Sequence, residues 1–161
     1  MEEESIGYTK VEKWGSCLAH ASGLVIGVPV TLLLLDIPWS FLPCPVIAYM
    51  ISRSFRRRNL ASGAFQAMQA SAVQLLILLL AAGTVVVSDS VPQLALFFGT
   101  GGFLLFLYSL WGALDTFMGY DFRYLYIGNL LDRVSQANLS RQEPRRRWQF
   151  GRRPDGSDRR D

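Results

Sequence analysis

Hydrophobic residues along this chain fall into long blocks that are separated by short polar or proline-rich breaks. The uncharged run from Asn59 to Val87 is longer than the roughly 20 apolar residues that cross the hydrocarbon core of a bilayer. Two further blocks, Cys17–Leu35 and Leu94–Leu114, are of similar length and contain no charged residue apart from the titratable His20. The pattern predicts an all-α, polytopic membrane protein with transmembrane helices at Cys17–Leu35, Ala64–Val87 and Leu94–Leu114.

The block Ile37–Ser52 fits a transmembrane helix less well. It contains Pro38, Pro43 and Pro45, so that a helix can begin only near the last two prolines, where proline suits a first turn. About 13 Å of helix then remains before the next charged residue, at 1.5 Å per residue. Either Trp39–Cys44 completes the crossing in an extended, protein-buried form, or the segment is re-entrant.

The distribution of charge favours the crossing. A basic cluster, Arg53–Arg58, follows the second block, and a crossing puts all sixteen Lys and Arg residues on one face of the membrane. The charged residues in the loops on the opposite face are then Asp36 and Asp89 alone. By the positive-inside rule, we expect four transmembrane helices, the second short and Pro-rich, with both termini cytoplasmic in a bacterial inner or thylakoid-type membrane.

Three regions follow from this topology. Residues 1–13 are a polar N-terminus, residues 14–134 are the four-span membrane domain, and residues 135–161 are a basic, flexible tail. Apolar residues from Ile127 to Val134 repeat at i, i+3, i+4 and i+7, which is typical of an amphipathic helix. We therefore expect a helix at 121–134 that lies flat in the membrane interface.

Polar residues at a similar depth in three spans predict a buried cluster. His20 lies about 9 Å beyond the interfacial Trp14 at 1.5 Å per residue, and Gln66, Gln69 and Asp115 come to a comparable level. Unpaired polar groups in hydrocarbon cost several kcal/mol. We therefore expect His20 to hydrogen-bond Gln66, Gln69 or the Asp115 carboxylate, directly or through one water.

His20 also has an alternative interpretation, because a histidine inside a membrane span can ligate the metal of a haem or a chlorophyll. A single histidine supplies no ligand pair, which favours a structural role, and neither a metal nor a cofactor is expected. In the same span Ala19, Gly23 and Gly27 recur at every fourth position, a spacing that allows close approach of another helix.

Arginine residues alternate with aromatic residues in the C-terminal tail. This composition suits anionic lipid headgroups or an RNA backbone, and a topology signal in solvent is the competing interpretation. Salt-dependent binding to anionic vesicles or RNA would separate the two. The arginines concerned are Arg145, Arg146, Arg147, Arg152 and Arg153.

Three segments together resemble the bacterial four-span membrane domain of the Tic-twenty-like superfamily, relatives of the twenty-kilodalton inner-envelope component of the chloroplast protein-import translocon. They are Leu18–Leu24, the basic cluster followed by Phe65–Ala70, and Ala113–Gly128. The chain departs from that pattern at Gly63, where relatives often have histidine, and at Leu125, where they often have proline. The resemblance implies the four-span fold and its topology. It also suggests a role in protein translocation as one candidate function.

The expected function is that of a non-enzymatic accessory or scaffold subunit that packs against a larger membrane protein complex. A component of a translocation or channel assembly is the main alternative, although polar residues stop near Gln74 and leave the outer half without a hydrophilic lining. Pigment or haem binding through His20 is the third.

Overall fold

The computed structural model of the chain describes residues 9–34, 39–124, 127–131 and 133. This part of the chain is helical without strands, and its main helices are α1 (Lys10–Leu34), α2 (Pro43–Arg57), α3 (Ala61–Val87) and α4 (Pro92–Met118). Among the described helices α1, α3 and α4 are long and apolar enough to cross a membrane. The prediction of an all-helical membrane protein is confirmed to that extent.

Direct contacts bring four helix ends to one end of the bundle, which we call the basic end. The backbone N–H of Gly63 at the start of α3 donates to Oε1 of Glu12 near the start of α1, at 3.3 Å. The rings of Trp14 in α1 and Phe117 near the end of α4 lie 5.1 Å apart. Phe55, near the end of α2, packs against Gly63. The exposed arginines that end α2 therefore lie at the same end as Lys10.

Helix α2 runs from the middle of the bundle to the basic end. The Cys44 thiol donates to the Ser22 carbonyl at 3.6 Å, and the Ser71 hydroxyl donates to the Pro45 carbonyl at 2.8 Å. Because Ser71 is ten residues into α3, α2 begins about 15 Å from the basic end at 1.5 Å per residue. Its 15 residues leave the opposite half of the bundle to the other three helices.

The segment before α2 is a 3₁₀ turn at Trp39–Phe41, so the extended form of Trp39–Cys44, one of the two alternatives for this segment, is wrong. The Ser40 and Thr31 hydroxyls lie 2.5 Å apart, which fixes this turn beside the last two turns of α1. Proline is suited to the first position of α2, because a backbone N–H at that position would have no partner within the helix. The tight turn thus brings the chain directly into α2.

Small residues allow α1, α2 and α3 to pack closely in the basic half. The buried core there consists of Ala19, Ala48, Ala64, Ala67 and Ala70 together with the ring of Phe55. Ser52 adds a hydrogen bond from its hydroxyl to the Ala64 carbonyl at 2.7 Å. In a bilayer such van der Waals packing and interhelical hydrogen bonds drive association, because apolar surface is not hidden from water.

Helix α4 ends in a Schellman motif that turns the chain back towards the bundle. The N–H of Tyr120 donates to the Asp115 carbonyl at 2.9 Å, and the N–H of Gly119 donates to the Thr116 carbonyl at 3.1 Å. Gly119 has φ 97°, a left-handed conformation that glycine adopts without steric cost. The chain therefore does not continue outward at the end of α4.

Residues 120–124 are not helical, and we call them the returning segment. The predicted interfacial helix at 121–134 is thus wrong over its first four residues, and residues 127–131 are helical. The apolar repeat begins at Ile127, so it gives no evidence for helix in the residues before Ile127. Residues 1–8, Asp36 and the tail arginines lie outside the described residues.

Candidate functional site

The returning segment is inserted among α1, α3 and α4 in the basic half of the bundle. Its side chains alternate: Asp121 and Arg123 are exposed, whereas Phe122 and Tyr124 are buried. This period of two is typical of extended backbone with one buried face. Irregular backbone at membrane depth is tolerated only where protein groups satisfy its polar atoms, and the surrounding helices supply such groups.

Tyr124 is the main anchor of the returning segment. Its backbone N–H donates to Oε1 of Gln69 at 3.0 Å, and its hydroxyl lies 2.9 Å from Nδ1 of His20. Burial raises the pKa of the Tyr124 hydroxyl, so it stays protonated and can donate to the imidazole. Two polar side chains of α1 and α3 thus bind one residue that follows α4.

Aromatic rings complete the pocket around the anchor. The Phe122 ring lies 4.9 Å from Tyr124, 5.4 Å from Tyr108 and 6.0 Å from His20 between centroids, in edge-to-face arrangements. A Cβ added at Gly112 would come 2.8 Å from the Phe122 ring. Glycine at this position of α4 therefore makes room for the ring.

Gln66 holds the entry of the returning segment. Its Nε2 donates to Oδ1 of Asp121 at 2.5 Å, and Asp121 pairs with Arg123 through Oδ2 at 3.3 Å. The Arg123 guanidinium also lies over the Phe65 ring, 5.6 Å from its centroid. Gln66 and Gln69, one turn apart on α3, thus bind two points of the same segment.

A second group of polar side chains binds the backbone of α1. Nε2 of Gln74 and the Ser109 hydroxyl both donate to the His20 carbonyl, at 3.1 and 2.8 Å. A backbone carbonyl oxygen has two lone pairs, so the His20 carbonyl can accept both donors. Helices α3 and α4 are thereby joined to α1 at one level.

The predicted cluster therefore forms with different partners. The ring of His20 directly bonds Tyr124, a residue that is not among the predicted partners Gln66, Gln69 and Asp115. Gln66 lies close to the imidazole, but within the part of the chain that the structure describes Nε2 of His20 and Oε1 of Gln66 each have no hydrogen-bond partner. Asp115 contributes its backbone carbonyl to the end of α4, and within the described residues its carboxylate does not join the cluster.

Among the described residues, five buried polar side-chain atoms have no hydrogen-bond partner, and all lie between the basic end and the middle of the bundle. Buried water commonly satisfies such groups. In particular, the pairing of a ring nitrogen with a nearby amide oxygen suits a bridging water between His20 and Gln66. The five atoms are Oγ of Ser16, Nε2 of His20, Oε1 of Gln66, Nε2 of Gln69 and Oε1 of Gln74.

The small residues predicted to form a packing ladder on α1 face three different neighbours. Ala19 is buried in the alanine core. A Cβ at Gly23 would come 3.0 Å from the Phe106 ring of α4, and one at Gly27 would come 2.8 Å from Phe41. The ladder is used inside this chain, so it does not by itself indicate a partner helix.

The geometry around His20 does not fit a haem or chlorophyll. Its Nδ1 accepts from the Tyr124 hydroxyl, so Nε2 carries the proton, whereas a metal-ligating histidine donates its other ring N–H and binds the metal through an unprotonated nitrogen. The side chain is also 0 % exposed, and Phe122, Tyr124 and Gly112 enclose the ring. A planar macrocycle has no access to Nε2 in this arrangement.

Comparisons of the chain with protein-family models, with curated proteins and with solved structures found no match. The resemblance to the Tic-twenty-like superfamily rests on the three sequence segments alone and stays a prediction. A functional interpretation therefore depends on the geometry of the chain itself. Its buried polar side chains bind the returning segment and the backbone of α1.

Proposed function

We propose that this chain is a non-enzymatic, four-span integral membrane protein that acts as an accessory or scaffold subunit of a larger membrane protein complex. One observation carries the proposal. The buried side chains of Gln69, Gln74 and Ser109 hydrogen-bond backbone groups of the chain itself. Membrane-embedded polar residues are functional candidates by default, and here their role is to hold the bundle together.

The four-span topology is supported by the position of the second segment. Thr31, which contacts the turn at Ser40, lies about 26 Å along α1 from Trp14 at 1.5 Å per residue. The exposed rings of Trp14 and Trp39 would then mark the two interfaces of a core about 30 Å thick. With the basic end cytoplasmic, both termini are on that side.

The exposed face of α4 is the proposed contact surface for the partner complex. It presents large apolar side chains along the whole helix, and the aromatic residues among them are of the type that dominates interface energetics. The main ones are Leu96, Phe103, Leu107, Trp111 and Leu114. A neighbouring membrane helix of the complex would pack along this face.

Site-specific photo-cross-linking in native membranes tests the proposal. A photoreactive residue at Leu107 on the α4 face should give one discrete protein adduct, and solubilisation in mild detergent should preserve the same stoichiometric complex. The matched control is Leu79, which is also exposed but lies on α3. Cross-links to lipid alone at both positions, together with a monomer in gentle detergent, would contradict an accessory role.

The translocation or channel alternative has one observation in its favour, the unpaired polar atoms of the basic half. They would line a hydrated vestibule. Beyond Gln74 the one buried residue of α3 is the apolar Ile77, so a continuous polar path would require the bundle to open. Ion conductance of the purified protein in planar bilayers would favour this alternative over a scaffold.

A further inference from the structure

An apolar groove of about 560 Å³ runs between α1, α3 and α4 in the half of the bundle that α2 does not reach. Its walls include Val28, Ile77, Ala81, Phe98 and Phe106. The groove exists because the prolines delay the start of α2 until mid-bundle. We propose that it binds one acyl chain of a phospholipid from the leaflet opposite the basic end.

The polar groups of the groove do not call for a polar ligand. Among the described lining residues, Thr31 and Thr84 are the ones with side-chain oxygens. Each donates to its own helix, to the Gly27 and Leu80 carbonyls at 2.8 and 2.9 Å. Hydroxyls satisfied in this way add no requirement for an external partner. The occupant that matches this surface is a hydrocarbon chain.

The size of the groove argues against a partner helix as its occupant. Ten residues of α-helix, about 15 Å long and 10 Å across, displace on the order of 1,200 Å³, roughly twice the volume available. A single hydrocarbon chain is much narrower and can bend along the walls. Two rim residues, Leu32 and Phe103, are 72 % and 60 % exposed, so such a chain can enter sideways from the bilayer.

The groove continues to the end of the bundle opposite the basic end. A second depression, lined by Ser88 and Pro92, shares Thr84, Gly99 and Phe103 with it. Within the described residues the charge at this end is Asp89 alone, so no basic group is there to select an anionic headgroup. A zwitterionic phospholipid matches both regions: its acyl chain fits the apolar groove, and its headgroup lies in the second depression near the α3–α4 turn.

Photo-cross-linking with lipid tests this inference on the full-length protein. The probe is phosphatidylcholine with a diazirine in one acyl chain, at low mole fraction in vesicles of unlabelled phosphatidylethanolamine and phosphatidylglycerol. After irradiation, adducts mapped by mass spectrometry should concentrate on groove residues such as Val28, Ala81 and Phe98. This readout on the wild-type protein does not depend on any variant folding.

Two matched phenylalanine variants extend the test. Ala81→Phe fills the groove and should lower groove adducts by about fivefold, which corresponds to roughly 1 kcal/mol of lost binding. Val86→Phe adds the same ring on the exposed face of α3 and should leave the adducts unchanged.

Adducts spread evenly over the exposed faces, or equal groove adducts in both variants, would overturn the proposal. It would also be overturned if the wild-type groove is free of adducts and Ala81→Phe converts a dimer to a monomer in light scattering. That result would assign the groove to a second copy of the chain. The accessory role is tested separately, through the cross-link at Leu107, which does not line the groove.

Discussion

Replacing Phe55 with alanine is expected to destabilise the protein by about 3–5 kcal/mol, the range for removing a large buried aromatic side chain. The Phe55 ring is wedged between α1 and α3, where Gly15 and Gly63 make room for it. A Cβ added at Gly63 would come 2.9 Å from this ring, so the ring fills the space that the two glycines leave open. Loss of the ring leaves a cavity at the basic end. Denaturant or thermal unfolding in detergent micelles measures the change.

The matched control is Phe97→Ala, because Phe97 is 70 % exposed on α4. Loss of its ring should change the free energy of unfolding by no more than roughly 0.5 kcal/mol, the usual limit for surface positions. Equal effects of the two substitutions would mean that the Phe55 ring does not join α1, α2 and α3. Gly63→Val provides a second test, since it should destabilise through overpacking while leaving Phe55 in place.

Replacing Tyr124 with alanine should have the second largest effect, about 3 kcal/mol or more, from the loss of a buried ring. The hydroxyl alone accounts for part of this. In Tyr124→Phe the ring remains, but Nδ1 of His20 loses its partner at 2.9 Å. An unsatisfied buried group costs about 1–3 kcal/mol, so Tyr124→Phe should be intermediate between alanine and wild type.

Tyr120 serves as the control for Tyr124, because it belongs to the same returning segment but is 65 % exposed. Tyr120→Ala should leave unfolding almost unchanged. If Tyr124→Phe were as stable as the wild type while Tyr124→Ala were not, the ring would matter but the hydrogen bond to His20 would not. Comparable losses at both tyrosines would contradict selective burial of Tyr124.

The sequence predicts the inward face of α3 well. Gly63, Gln66, Ala67, Ala70 and Gln74 share one face by helical spacing, and all five are buried. Spacing is informative here because a long helix fixes the direction of every side chain along it. The distribution of charge likewise predicts that Lys10 and Arg57 lie at the same end of the bundle. The positive-inside rule gives this result without any knowledge of which residues are in contact.

The partners of the polar residues could not be predicted from spacing. Depth along a helix brings His20 and Gln66 to one level, but it does not say what lies between them. Nor does depth reveal Tyr124, which pairs with Nδ1 of His20 and whose burial depends on the Schellman turn at Gly119. A local signal was present, because Phe122 and Tyr124 are aromatic at alternate positions. The apolar repeat from Ile127 onward obscured it by suggesting that the whole stretch is one helix.

Hydrogen exchange of the returning segment tests most directly the central claim that membrane-embedded polar side chains of this bundle bind that segment. In lipid nanodiscs, mass spectrometry should find the Tyr124 amide protected in the wild type, because it donates to buried Gln69 at 3.0 Å. Protection reflects the free energy of local opening. Gln69→Leu should therefore raise the exchange rate by about 5- to 150-fold, as expected for a loss of 1–3 kcal/mol. The control Gln93→Leu, at an exposed position of α4, should not change it.

If the Tyr124 amide exchanges in the wild type as fast as the exposed Ser88–Ser90 turn, or equally in all three proteins, Gln69 does not hold the returning segment and the central claim is contradicted.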